Sequence, residues 1–394
     1  MSIPHLFRCP ISLDIFTDPV TLCTGQTYDR PCIERWLAAG HRTCPVTMQP
    51  LGDAVLVPNR TLRHLIERWL SADQKIPDEP TAVAAADDDT EEPSLAALKR
   101  CLQSGAGANA KVAALNKVAT LASESDVGRA CMVQLGFLPV LLRLVFHAPA
   151  PWDLSEQEEL ALQCALSLLP SSPTSPQHGC LNMLKTEASL TSFVRLLERG
   201  RARTKAGLCR LLETIATAAA TRDLVLAAAA SPRVWQALLP LLHHGDERVS
   251  VAAARAVAAV CCAAEPTRGS AVHHGAVPAL FKCLSAGKGR GAASWSALAA
   301  LEALAASEAG RRAVAREPGA VRALVRHVFM MSSSNEGSEH AVAALLAVCR
   351  ESRAARSEAA GAGVVTQLLL LLQSQCGTRA KTKARSLLKL FKSI

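Results

Sequence analysis

Residues 275–281 read GAVPALF, residues 319–325 read GAVRALV, and residues 363–369 read GVVTQLL. Successive copies lie 44 residues apart, and each begins with glycine followed by an apolar run of helical composition. Two further steps back lead to SPRV at 231–234 and EASL at 187–190, which again precede leucine-rich stretches. A constant period of about 40–47 residues is typical of α-solenoids with two or three helices in each repeat. The sequence therefore predicts a stack of helical repeats.

Each copy is followed by a second, longer apolar stretch that also predicts a helix. An earlier copy begins at Gly136, and the longer gap after it predicts loop insertions at 148–155 or 170–178. One such unit cannot bury its apolar face alone, so the units must stack, whereas a single irregular helical domain would not explain the constant step. We interpret residues 95–394 as a solenoid of the armadillo or HEAT type with about six to seven repeats. The longer helices are predicted at roughly 108–122, 157–169, 204–216, 249–261, 293–305, 339–350 and 379–393.

The charge of the chain is unevenly distributed. The net charge of +9 divides into +1 over residues 1–75, −7 over 76–94 and +15 over the remainder. The acidic, proline-bounded stretch cannot bury a core, and it predicts a flexible linker at 78–94 after an N-terminal domain at 3–77. The basic solenoid indicates either an acidic partner or solvated, arginine-rich helix faces. Nucleic acid is disfavoured as a partner because no aromatic stacking motif accompanies the basic residues.

Composition also restricts the compartment. We expect no secretory signal, because residues 1–5 contain no cationic stretch followed by an apolar run. Apolar segments such as 251–263 are interrupted by Arg255 and are too short to span a bilayer. Fourteen cysteines without a secretory context indicate reduced thiols. We therefore expect no transmembrane segment and a cytoplasmic location, with the nucleus and the periphery of a membrane as alternatives.

The N-terminal 70 residues carry a second set of motifs, and these argue against a metal site. A two-zinc site would need four ligand pairs of the Cys-x-x-Cys type, but Ser12 and Thr47 stand where the partners of Cys9 and Cys44 would be. We expect no metal and no cofactor, and we expect hydrogen bonds to hold these loops instead. The motifs are CPISL at 9–13, DPV at 18–20, GQTYDR at 25–30, IERWL at 33–37, TCPVT at 43–47 and LVPNRTL at 56–62.

The central helix of this region is readable from its ends. Asp29 is expected to cap the helix, Pro31 to lie in its first turn and Gly40 to end it. Tyr28 is expected in the core. Neither Cys9 nor Cys44 has the base and orienting acid that a thioester-forming nucleophile needs, so the sequence predicts no catalytic residue.

These motifs, in this order, resemble the U-box, a zinc-free relative of the RING domain, and the whole arrangement resembles the short plant U-box–armadillo ubiquitin ligases. The resemblance implies a mainly α protein with a small α+β U-box followed by the solenoid. It implies an E3 ubiquitin transferase that recruits a ubiquitin-charged conjugating enzyme (E2) and a protein substrate in the armadillo groove, without a covalent ligase intermediate. The E2 would dock on Ile11 and Leu13 of the first loop, Trp36 of the central helix and Pro45 of the second loop.

Other roles remain open for these side chains: Ile11 and Trp36 are also typical core residues, and Pro45 is also a turn former. One position departs from the family pattern. Many ligases of this kind place a basic residue just beyond the second loop, where it bonds both E2 and ubiquitin, but here Met48 stands in that place and cannot donate a hydrogen bond. Met48 predicts weaker activation, or activation that depends on dimerisation.

Two alternatives to the ligase differ in class. Met48 leaves open a non-catalytic armadillo scaffold with a weak or inactive U-box. An importin-like carrier is disfavoured because its ladder of Trp and Asn is missing, since Trp295 is followed four residues later by Ala299. The resemblance also implies a role in plant immune or stress signalling, and a homo-oligomer is left open.

Overall fold

The computed structural model describes residues 4–53, 55–73, 94–105, 107–146, 156–170, 172–286, 291–329 and 336–392. Helices make up most of these residues, which confirms the predicted mainly α fold class. The chain forms two compact units, the first within residues 1–144 and 156–168 and the second within 145–155 and 169–394. The predicted linker at 78–94 lies outside the described residues except for Ser94, whose hydroxyl caps the next helix.

The N-terminal module combines a small sheet with two helices. Strand β1 lies between β2 and β3 and pairs antiparallel with both, so that Val20 is opposite Tyr28 on one side and Pro58 on the other. The elements are a 3-10 turn (His5–Phe7), β1 (Pro19–Thr21), β2 (Thr27–Asp29), α1 (Arg30–Ala38), β3 (Val57–Pro58) and α2 (Arg60–Asp73). Its core consists of Phe7, Phe16, Val20, Leu22, Tyr28, Ile33, Leu62 and Ile66.

The ends of the two helices follow from local chemistry. Pro31 lies in the first turn of α1, and Gly40 follows the helix with a φ of +85°, which favours glycine. The Asn59 side-chain oxygen accepts a hydrogen bond from the Leu62 N–H at 3.0 Å and caps α2. Asp29 occupies the position before α1, but its side chain makes no capping bond there, so the predicted cap is wrong.

Among the remaining helices, from α9 to α20, each long helix is followed by two shorter ones. The long helices α4, α7, α9, α12, α15, α18 and α21 coincide with the seven predicted ones to within a few residues. The helices are α3 (Leu95–Gln103), α4 (Ala108–Glu124), α5 (Asp126–Gln134), α6 (Phe137–Phe146), α7 (Glu156–Leu168), α8 (Glu187–Arg199), α9 (Ala202–Thr217), α10 (Arg222–Ala230), α11 (Pro232–Leu238), α12 (Glu247–Ala263), α13 (Glu265–His273), α14 (Ala276–Ala286), α15 (Ala292–Ala305), α16 (Glu308–Arg316), α17 (Ala320–Arg326), α18 (Glu336–Glu351), α19 (Arg353–Gly361), α20 (Val364–Gln373) and α21 (Thr378–Lys392).

The repeated glycines turn the chain between the two short helices that separate successive long helices. Gly275, Gly319 and Gly363 have φ values of +83°, +72° and +79°, and Gly136 has +73°. A Cβ atom at the first three would meet nothing within 4 Å, so backbone conformation and not lack of space is what favours glycine there. This confirms the tight turn predicted from the repeated phrase.

The long helices of the second unit form one continuous row. Helix α12 packs between α9 and α15, α15 packs against α18, and α18 packs against α21. The buried face of α12 is lined by Ala252, Ala253, Ala254 and Ala256, whose small side chains let the helices approach closely. Of the two predicted insertions, 148–155 lies outside the described residues, and 170–178 runs into a 3-10 helix at Pro176–Lys185.

Among the described helices, none by itself has the length and apolar character needed to cross a bilayer. Two bent pairs, Asp126–Gln134 with Phe137–Phe146 and Ala219–Ala230 with Pro232–His243, meet the criterion by length and composition only.

Candidate functional site

The first loop of the N-terminal module, residues 8–15, exposes two large apolar side chains. Arg8 and Ile15 pair across its base, the Cys9 N–H donates to the Asp14 carbonyl at 2.8 Å, and the Leu13 N–H donates to the Cys9 carbonyl at 2.8 Å. Leu13 has a φ of +63°, unusual for a residue with a Cβ atom. Ile11 is 38% exposed and Leu13 is 66% exposed. Both are therefore available to a partner, and the core alternative for Ile11 is wrong.

The second loop, residues 43–50, repeats this plan. Thr43 pairs with Pro50, the Cys44 N–H donates to the Gln49 carbonyl at 2.9 Å, and the Met48 N–H donates to the Cys44 carbonyl at 2.8 Å. Met48 has a φ of +58°, as Leu13 has in the first loop. Cys9-Pro10-Ile11 thus corresponds to Cys44-Pro45-Val46, and Val46 is 52% exposed. Val46 was not among the predicted contact residues, although the shared Cys-Pro step could have identified it.

Two adjacent residues of β2 hold both loops from inside. The Tyr28 hydroxyl lies 3.0 Å from the Cys44 sulfur and accepts a hydrogen bond from the Val46 N–H at 3.2 Å. The Asp29 N–H donates to the Cys9 sulfur at 3.3 Å. The loops are therefore joined through β2 by hydrogen bonds to thiols. The predicted hydrogen bonds of Ser12 and Thr47 are also present, to Cys9 and Cys44 respectively, but Tyr28 was expected only in the core.

The Asp29 carboxylate secures the chain that follows the first loop. Its Oδ1 atom accepts hydrogen bonds from the Thr17 N–H at 2.9 Å and the Asp18 N–H at 2.7 Å, and its Oδ2 atom accepts one from the Thr17 hydroxyl at 2.8 Å. Asp18 in turn receives the Arg30 side chain at 2.6 Å. Asp29 is only 8% exposed, so its charge is compensated by these three donors and not by water.

The environment of the loop thiols is polar although both are fully buried. Burial opposes ionisation of Cys44, but the hydroxyls of Thr24, Thr47 and Tyr28 around it outweigh that effect and lower the pKa of the thiol to about 6. Burial likewise opposes ionisation of Cys9, whose pKa is nevertheless lowered by the backbone N–H of Asp29 and other donors. Burial, together with Cys44, raises the pKa of Tyr28 well above its ordinary value. Both sulfurs thus act as hydrogen-bond acceptors, in the place where a metal-binding relative would use them as ligands.

Trp36 lies on α1, but its side chain contacts the second loop and is not part of the buried core. Its indole N–H donates to the Thr43 carbonyl at 2.8 Å, and its ring stacks on His41 with 4.0 Å between centroids. Trp36 and Pro45 are both half-buried. Leu13 and Val46 line a common cavity of about 600 Å³, bounded on another side by α5, so the two loops meet there. Within the described residues, no group of three or more His, Cys, Asp or Glu side chains is placed to hold a metal ion.

A second candidate surface is the exposed side of the row of long helices. Ion pairs connect helices of the row along this side, and Arg255 of α12 meets Glu213 of α9 at 2.7 Å. Glu302 of α15 meets His340 of α18 at 2.5 Å and Lys383 of α21 at 2.7 Å. Burial would raise the pKa of Glu302, but His340 and Lys383 lower it to about 2.

Comparison with known proteins covers both parts of the chain. A model of the U-box domain matches residues 3–75, and a model described as the plant U-box protein ARM repeat region matches 95–394. U-box domain-containing protein 25 of Arabidopsis thaliana is 33% identical over 397 residues, which cover 100% of this chain and 92% of that protein. E3 ubiquitin-protein ligase PUB23 of the same plant is 29% identical, and the alignment covers 99% of this chain and 93% of that protein.

Solved structures agree on the fold of the helical part. A computationally designed armadillo repeat protein for modular peptide recognition aligns with 64% of this chain and 99% of its own, with a TM-score of 0.51 and 22% identity. A structure from a study of the interaction between cadherin and β-catenin covers 75% of this chain and 55% of its own, with a TM-score of 0.61 and 14% identity. With both family models matching in order, the chain belongs to the plant U-box–armadillo family of ubiquitin ligases.

Proposed function

We propose that this protein is an E3 ubiquitin ligase whose U-box recruits a ubiquitin-charged E2 through Ile11, Leu13, Trp36 and Pro45, with Val46 as an added contact. The observation that carries the proposal is the solvent exposure of large apolar side chains on two loops that are held rigidly from behind. Such residues lower solubility unless a partner covers them. A few apolar anchors on a preorganised surface suit a contact that forms and dissociates rapidly.

The proposed transfer is direct, from the E2 thioester to a substrate lysine. Cys9 and Cys44, the thiols of the docking loops, are both 0% exposed, so neither can receive ubiquitin from the E2. The docking loops therefore act by binding and orienting the conjugate, and their two thiols do not act as nucleophiles. A substrate segment would lie along the exposed side of α9, α12, α15, α18 and α21. Action in the cytoplasm and in plant immune or stress signalling is an extension that rests on the family resemblance.

The test is a discharge assay in which a ubiquitin-charged E2 loses ubiquitin to free lysine in the presence of the full chain. Ile11→Ala should slow ligase-dependent discharge by about tenfold or more, because buried interface anchors each contribute roughly 1–2 kcal/mol or more. Trp36→Phe keeps an aromatic ring but loses the hydrogen bond to the Thr43 carbonyl, and it should slow discharge less than Ile11→Ala does. Val55→Ala is the matched control, since Val55 is 60% exposed but lies off both loops.

Discharge that is equal for wild type and Ile11→Ala, with the fold intact, would contradict the proposed docking surface. The scaffold alternative has its own observation, because Met48 is 66% exposed at the activating position and cannot donate a hydrogen bond. A folded wild-type protein that binds several E2s but accelerates discharge from none of them would favour the scaffold.

A further inference from the structure

The second unit has one exposed apolar patch among its described residues. Its exposed large hydrophobic side chains are Val365, Leu369 and Leu370, at 40%, 50% and 39% exposure, and all three lie on α20. Helix α20 has the sequence VVTQLLLLLQ and contains no charged residue. Contiguous exposed apolar residues on a soluble domain indicate an interaction site.

The patch corresponds to a surface that earlier repeats bury. The residues 44 positions before Val365 and Leu369 are Val321 and Val325 of α17, and each of these is 2% exposed. A further 44 positions back, the corresponding residues are Val277 and Phe281 of α14, which are 2% and 6% exposed. Because α14 packs against α17 and α17 against α20, these positions form a row in which each helix covers the one before it. The exposed face of α20 is therefore a continuation of an interface already present in the molecule.

Leu370 is evidence that the patch is not merely the surface left exposed where the stack of repeats ends. The same position is Lys282 in α14 and Arg326 in α17, and both of those side chains face solvent. A terminal repeat normally gains polar residues on its outer face, since nothing stacks on it. Here the last repeat gains a leucine where the preceding two repeats carry a cation. That exchange enlarges the apolar surface on the side where solubility favours a charge.

We propose that α20 is the interface of a homodimer, in which the patch of Val365, Leu369 and Leu370 meets its own copy on a second chain. A two-fold contact needs one surface that is complementary to itself, and α20 carries no charged residue of its own that would oppose its copy. Head-to-tail stacking is disfavoured because α3, the first helix of the repeat region, packs against α2. The interface is small, so we expect a dissociation constant in the micromolar range.

The experiment is sedimentation velocity of the reduced full chain across the micromolar range. Wild type should shift from a mass of one 41.6 kDa chain towards two chains as its concentration rises. Leu370→Lys restores the cation that the preceding repeats carry, so it should fold, and it should raise the dissociation constant by about tenfold or more by placing a charge in an apolar interface. Leu369→Arg should do the same. The control is Ala306→Lys, which adds one cation at an exposed position off α20.

Three experimental results would overturn the proposed dimer. Wild type that remains one chain throughout the range would overturn it. So would a dimer that Leu370→Lys and Leu369→Arg leave unchanged, since the contact would then lie elsewhere. A monomer that sediments with anionic lipid vesicles would assign the patch to a membrane surface, which the basic helix α21 next to α20 would favour. None of these results depends on ligase activity, so they leave the proposed function untouched.

Discussion

Two replacements of Asp29 distinguish the hydrogen bonds that its side chain accepts from the effect of its negative charge. Asp29→Ala removes the acceptor of two backbone N–H groups, from Thr17 and Asp18, and of one hydroxyl. The Thr17 hydroxyl is at an exposed residue and can bond water, but the two N–H groups are partly buried. Leaving two such donors unpaired costs about 1–3 kcal/mol each, so we expect about 3 kcal/mol of local destabilisation.

Asp29→Asn is the matched variant. Both backbone donors use the same oxygen, Oδ1, so an amide oxygen can replace it. The new NH₂ group would face the Thr17 hydroxyl, which can accept as well as donate. The variant should therefore keep all three contacts and lose only the charge assistance, at about 1 kcal/mol.

Native-state hydrogen exchange of the intact chain is the suitable assay, because a protein with more than one unit does not unfold in two states. Amides of residues 8–18 should exchange about 100-fold faster in Asp29→Ala, since each 1.4 kcal/mol corresponds to a factor of ten, and less than about tenfold faster in Asp29→Asn. E2 discharge should fall in the same order although Asp29 is buried. Equal exchange in the two variants, or an increase below about threefold in Asp29→Ala, would refute the reasoning.

Three further predictions concern other parts of the chain. The pKa of Glu302 is lowered to about 2, so its contacts with His340 and Lys383 stabilise the fold above the ordinary carboxylate range, and this stabilisation is lost as pH falls towards 2. Glu302→Gln should remove on the order of 2–3 kcal/mol of stability at neutral pH, and it should make stability less dependent on pH in the acid range. An acid dependence of stability that equals that of wild type would contradict this. Gly363→Ala should destabilise α20 by about 1–2 kcal/mol because of its positive φ, whereas Gly361→Ala, in helical backbone with open space, should be neutral or stabilising, and native-state hydrogen exchange of the α19 and α20 amides would measure both effects. Met48→Arg supplies the missing donor at a position that already has positive φ, so it should accelerate E2 discharge without loss of stability; no acceleration would count against Met48 as the cause of weak activation.

The sequence was most informative where the structure repeats. Glycine at a constant step predicted both the helix boundaries and a backbone conformation that Gly275, Gly319 and Gly363 adopt, because the same local requirement recurs in each repeat. The exposed positions of Ile11 and Leu13 were also predicted, although only the resemblance to a family identified them as a docking surface.

The contacts that hold the docking loops were not predictable in the same way. Tyr28 meets Cys44 and Asp29 meets Cys9 across separations of 16 and 20 residues, and no local pattern encodes such pairs. Asp29 was interpreted as a helix cap because its position favours that role, but three donors upstream compete for its carboxylate. Leu370 was overlooked because its meaning depends on comparison with Lys282 and Arg326, and on which face of α20 remains uncovered.

The hydrogen bonds of Tyr28 and Asp29 to the loop thiols also bear on how this protein matures in a cell. A module that uses thiolates to bind zinc reaches its working shape only after a metal has been delivered, and it competes with other proteins for that supply. Loops that are held by donors and acceptors of their own chain are complete once the U-box has folded. A ligase built in this way would remain available when free zinc is scarce, and its abundance would be set by synthesis and turnover rather than by metal loading.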